Sequence, residues 1–199
     1  KDEAVRFIED RGFLLFHPAK NIEFPSLWEA KAGDRPVPNE HDDPGHITWQ
    51  WKDDLLGERR CYYGRLLAKK MSFVSLQYLP FFFRLGRCFD FEYDYLYLYE
   101  KGEMSYEAKS IYEVLLNDGP MDTLQARKKA GLWGRENQYR YTKSLNWLQT
   151  ELMVVPVGIA EVGRWNYAFI LDILPRYYPE LPDQSLLFSQ QESRERIFR

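Results

Sequence analysis

Between residues 104 and 171 the apolar residues change their spacing once, from three stretches of helical period to two runs of strand formers, and that order constrains the fold more than any other feature. The spacing predicts a first helix over 105–117, with Ser105 as its N-cap, Ala108, Ile111, Tyr112, Leu115 and Leu116 on one face, and Gly119-Pro120 as its stop. Asp122 or Thr123 caps a second helix that ends at Gly131, and Leu132-Trp133-Gly134 is a turn. A third helix is expected from about 135–136 to about 152, with Tyr141, Leu145, Leu148 and Leu152 as its core stripe. Residues 153–159, rich in β-branched side chains, and 164–171, rich in aromatic and aliphatic ones, flank the turn residues 161–163 and read as a hairpin.

Three helices followed by a hairpin is the order of a winged helix-turn-helix, a motif that meets DNA and also serves in protein docking. The face of the third helix opposite its core stripe carries Glu136, Tyr139, Arg140, Lys143, Trp147 and Thr150, which makes it the expected recognition face. Charge separates in the same place. Residues 123–150 hold Arg127, Lys128, Lys129, Arg135, Arg140 and Lys143 against Glu136 alone, a local net charge of +5 in a chain of net charge -3. Cations gathered on two helices of such a motif are the electrostatic footprint of phosphate contact. The expected DNA-binding residues are therefore Arg127, Lys128, Lys129, Arg135, Tyr139, Arg140 and Lys143, with Arg164 on the hairpin.

The remainder reads as an α+β region over 1–103 and a C-terminal helix over 181–199, so the expected fold is α+β, a winged helix over 104–180 packed on an α+β N-terminal half. A short amphipathic helix is expected over 2–11 with Gly12 as its stop, then a strand at 13–16 and a helical turn at 25–30 that opens with the capping-box pair Ser26 and Glu29. Residues 61–67 and 71–76 suit a hairpin, 78–85 and 93–99 suit buried helical segments, and Leu186, Leu187, Phe188 and Ile197 are the expected anchors of the last helix. No internal repeat is visible.

Outside the winged helix, the most site-like cluster is 48–56. Trp49 and Trp51 bracket Gln50, with Asp53 and Asp54 beyond; aromatic faces can stack a base while Gln50 and Asp53 orient water. The same stretch also suits a packed amphipathic turn with both tryptophans in the core. Residues 33–45 form a Pro- and Gly-rich acidic loop, where His41, Asp42, Asp43 and His46 could be drawn as a metal site, but such residues on a flexible loop are normally solvated and no metal is expected. There is no phosphate-cradling glycine loop, so no nucleotide cofactor is expected. Cys61 and Cys88 follow no metal or redox spacing, which predicts a reducing compartment without disulfides, and the longest apolar stretch, 79–83, is too short for a bilayer. A soluble cytoplasmic protein is expected. Aromatic residues make up 17% of the chain, enough to supply interfaces as well as a core.

Residues 111–180, with Gly119-Pro120, Leu148-Gln149, the wing at 155–161, Gly163-Arg164-Trp165 at its turn and Asp172-Ile173-Leu174-Pro175-Arg176-Tyr177-Tyr178-Pro179 after it, resemble the AlkZ/YcaQ-type winged-helix proteins, bacterial DNA glycosylases. With Pro25-Ser26-Leu27-Trp28-Glu29, Trp51-Lys52-Asp53 and Tyr62-Tyr63-Gly64 included, the whole chain is similar to the short AlkZ-related proteins. The resemblance implies a DNA-associated protein in or near base-excision repair, where an enzyme extrudes a damaged nucleotide and a polar side chain positions water. The glycosylases carry a Gln-x-Gln or Gln-x-Asp motif. This chain has neither: Gln50 and Asp53 are separated by two residues, Gln190 and Gln191 are adjacent, and Gln77 and Gln125 lack a partner at that spacing. The alternative is a protein-interaction or transcription-regulatory winged helix without repair activity.

Overall fold

Val5 and Ile8, spaced among charges, give α1 (Asp2–Arg11) its buried side in a computed structural model that describes residues 1–39, 42–86 and 93–198. The helix stops at Gly12, where φ is +78° and a Cβ would come within 2.8 Å of the Tyr78 ring, so glycine is required both for the backbone turn and for the close approach. β1 (Phe13–Leu15) follows. The Ser26–Glu29 capping box starts α2 (Leu27–Ala32), and after the loop come α3 (Ile47–Glu58), β2 (Cys61–Arg65) and β3 (Met71–Ser75). The three strands are antiparallel in the order β1-β3-β2, and the register sends Tyr62 and Phe73 to opposite faces of the sheet, where both are buried, as are Ile8, Trp28 and Leu55 of the helices.

The chain divides into Lys1–Leu79 and Pro80–Arg199. Around that boundary lies α4 (Leu79–Arg84), followed by α5 (Asp94–Glu100). Then come α6 (Tyr106–Asp118), β4 (Met121–Asp122), α7 (Thr123–Lys129), α8 (Gln138–Thr150), β5 (Val154–Ala160) and β6 (Ala168–Ile173), with a sheet in the antiparallel order β4-β6-β5. Ser105 caps α6, and Ile111, Tyr112 and Leu115 pack with Tyr141, Leu145 and Leu148 of α8 and with Val154 and Leu171 of the sheet. Pro156 sits on the edge strand β5, where its missing N–H breaks no ladder, and the register shifts just after it, between Pro156 and Gly158.

α9 (Leu174–Tyr177) turns the chain back. Arg176 donates to Asp172 at 2.6 Å and to the Leu115 and Leu116 carbonyls, so one guanidinium closes the C-terminal end of α6. The chain ends with α10 (Leu181–Leu186) and α11 (Gln190–Ile197).

Helices and two small antiparallel sheets make the chain α+β, and each unit contains one run of helix, strand, helix, helix, strand, strand (α1 to β3 and α6 to β6) with the third strand at the centre of its sheet. The sequence shows no repeat, so the recurrence is one of topology. Several expectations shift in detail. The third helix starts at Gln138 rather than 135–136, because residues 131–137 are held in a turn. It ends at Thr150, and Leu152, with φ at +57°, lies beyond the helix and is buried, outside the cluster that holds Tyr141, Leu145 and Leu148. The single C-terminal helix is two, and Leu186 and Leu187 are 63% and 77% exposed rather than anchors; Phe188 does pack, against Phe81. His41 and Cys88 lie outside the described residues.

Candidate nucleic-acid interface

The local chemistry of α7 and α8 decides which of their cations are available. Asp122 accepts hydrogen bonds from the Leu124 and Gln125 amides, both at 2.9 Å, which starts α7 and fixes its direction. Arg127 then turns inward: it donates to the Leu132 carbonyl at 2.9 Å, to the Gly134 carbonyl and to the Gln138 side chain, and lies over the Trp133 and Tyr141 rings. This expected phosphate ligand is therefore committed to the turn between the two helices. The Tyr141 hydroxyl donates to the Thr123 carbonyl at 2.9 Å, tying the start of α7 to α8, and burial pushes that phenol well above its usual range.

The outward side of the same pair is different. Lys128, Arg135 and Lys143 are exposed and have no hydrogen bond or ion pair among the described residues. Lys129 holds Asp118 at 2.8 Å in an exposed pair, and Arg140 stands 3.5 Å from Glu107 with two thirds of its side chain in solvent. Exposed pairs of this kind are weak and exchange readily for another anion. Tyr139 is 74% exposed beside them. On the β5–β6 turn Arg164 lies over the ring of Trp165, which is 80% exposed.

Tyr139, Arg140, Lys143 and Trp147 form one wall of an open groove of about 600 Å³. The facing wall is Gly102, Glu103, Ser105 and Glu107, residues that sequence reasoning did not connect to the interface. Ser105 meets Ser144 at 3.2 Å, which joins the two walls at the base. The cap signal at Ser105 did place Glu107 in a first turn, but nothing local announced that α8 would lie against it.

In the first unit, the 48–56 cluster lies on α3 with its parts apart. Trp49 packs edge-on against Phe16 and His17, whereas Trp51 lines a different depression with Phe7 and Leu27, so the two rings do not converge on a common base. Gln50 is exposed one helical turn before Asp53, and Asp53 is bound at 2.6 Å to Lys52, whose side chain is fully buried and lies over the Trp49 ring. Desolvation lowers the Lys52 pKa, with the Asp53 carboxylate working against that shift. A buried ammonium was unforeseen, because lysines are almost never found inside unless paired. Asp43 is held by Arg35 through two hydrogen bonds and by the Gly45 amide, which brings its pKa down to about 2. His46 packs against Trp28, and among the described residues no group of three or more His, Cys, Asp or Glu is placed to hold a metal ion. Cys61 is a buried thiol outside any disulfide, and burial pushes its pKa up to about 12. Among the described residues no helix is long and apolar enough to cross a membrane.

No curated protein and no solved structure matches the chain. The family model for AlkZ-related proteins matches residues 1–168, and the chain belongs to that family.

Proposed function

We propose that residues 104–180 form a winged helix that binds duplex DNA with the outward face of α8, and that the first unit is a second winged helix of the same topology. The observation that carries this reading is the set of exposed cations without internal partners on α7, α8 and the turn between them: Lys128, Arg135 and Lys143. Lys129 joins them by exchanging its surface carboxylate for a phosphate, Arg140 stands beside Lys143 on α8, Arg164 and Trp165 flank them on the wing, and Arg127 frames the turn. Membership of a family related to AlkZ supports a role in or near DNA base-excision repair. If the chain releases damaged bases, Gln50 and Asp53 are the groups to orient water, and Asp53→Asn abolishes release while Lys52 stays buried.

Fluorescence-anisotropy titration of a labelled duplex, intact and carrying an abasic site, at two salt concentrations tests the reading. Steeply salt-dependent affinity for both supports DNA binding, and tighter binding to the abasic duplex supports the repair role. A protein-docking module without repair activity is favoured by one observation, the exposure of Leu186 and Leu187. Absence of binding to either duplex moves the assignment there.

A further inference from the structure

Glu103 and Glu107 stand in the wall of a groove whose other wall is cationic. For holding phosphates they are counterproductive, since a carboxylate repels them. They suit a base edge instead. In the major groove a G·C pair presents, in order, two acceptors from guanine, N7 and O6, and one donor, the N4 amino group of cytosine. The complement is two donors beside one acceptor. Arg140 on α8 and Glu107 in the first turn of α6 supply that pattern: they stand 3.5 Å apart, Arg140 with 66% of its side chain in solvent and Glu107 with 20%. The arginine fork is thus free to reach outward while the carboxylate is fixed in the wall.

Resting on the reading that the α8 face meets DNA, we propose that the Arg140–Glu107 pair reads one G·C base pair, Arg140 donating to guanine O6 and N7 and Glu107 accepting from cytosine N4. The second unit is then selective for sequence, and Lys143, Lys128 and Arg135 supply the sequence-independent grip on phosphates. An A·T pair presents acceptor, donor, acceptor in the same places, so its adenine amino group meets a donor of Arg140 and its thymine oxygen meets the Glu107 carboxylate.

The test is selection from a randomised duplex pool with the full chain at moderate salt, followed by anisotropy on a selected duplex and on its version with that G·C pair changed to A·T. The expected result is one enriched G·C position and about tenfold weaker binding when it is replaced, the discrimination of a single bidentate contact. Glu107→Ala and Arg140→Lys each bring that ratio close to one, the latter while keeping its positive charge. Lys143→Ala weakens both duplexes alike and leaves the ratio standing. Binding without an enriched position overturns the proposal, as does a preference that survives both Glu107→Ala and Arg140→Lys. Failure of the unselected pool to bind at all overturns the DNA-binding reading with it, and a direct titration of that pool separates the two failures.

Discussion

The runs α1 to β3 and α6 to β6 share one order of elements and one strand order, yet the stretch from the start of the second helix of each run to the end of its third carries opposite charge. Residues 27–58 hold three basic residues against eight acidic ones, a net charge of -5, where residues 123–150 carry +5. Two of those three basic residues are also committed: Lys52 is buried against Asp53, and Arg35 is locked to Asp43. In the second unit Lys128, Arg135 and Lys143 stand in solvent with no partner among the described residues. One backbone plan thus supports two electrostatic surfaces, and what a unit can bind follows from side-chain sign and availability rather than from the plan.

The strongest way to break this contrast is charge reversal. Arg140→Glu with Lys143→Glu is expected to weaken duplex binding about 100-fold at moderate salt and to flatten the salt dependence, whereas Asp54→Lys on α3 changes it by less than about threefold. An equal effect from α3, measured by anisotropy, ends the distinction. The second largest effect is on stability. Asp53→Asn leaves the fully buried Lys52 ammonium without its carboxylate and is expected to cost about 2–3 kcal/mol in denaturant unfolding, while Lys52→Met, which removes the charge itself, costs much less. A smaller effect sharpens the division within the second unit: Arg127→Ala removes donors from two carbonyls and is expected to cost about 2 kcal/mol, against less than about 0.5 kcal/mol for Lys128→Ala. Lys128→Ala instead lowers the slope of affinity against salt by about one.

The smallest effect is a pH dependence expected of the first unit. Burial, then the charges of His46 and Lys52, lowers the His17 pKa below its ordinary 6.5. The unfolded chain therefore takes up the proton first, so stability is at its full value above pH 6.5 and falls as the pH drops from 6.5 toward the folded pKa. Tryptophan fluorescence, with Trp28 and Trp49 beside His17, follows that loss, and His17→Phe removes it. A pH profile unchanged in His17→Phe counts against this account.

What could be read from the sequence was local. Ser105, Asp122 and Ser26 announced helix starts because a cap needs only the next three residues, and Tyr141, Leu145 and Leu148 announced a buried stripe because period alone carries it. What could not be read depended on distant partners. Arg127 looked like any surface cation, and its acceptors at Leu132, Gly134 and Gln138 show why α8 begins two or three residues late. Glu107 lies 33 positions before Arg140, so neither residue's neighbourhood predicted the groove. Trp49 and Trp51, two residues apart, fall on different sides of a helix, which separated a pair that looked adjacent in the sequence.

The inward Arg127 has a further consequence for timing. Because its donors hold residues 131–137 in place, the frame that presents α8 has little left to order on encounter with a ligand, and the entropic toll of binding there would be small. If the α8 face meets DNA as proposed, association is limited by diffusion and steering, so salt would act on the rate of arrival. Base contacts would then act on the rate of departure, and the two rates could be tuned by different residues.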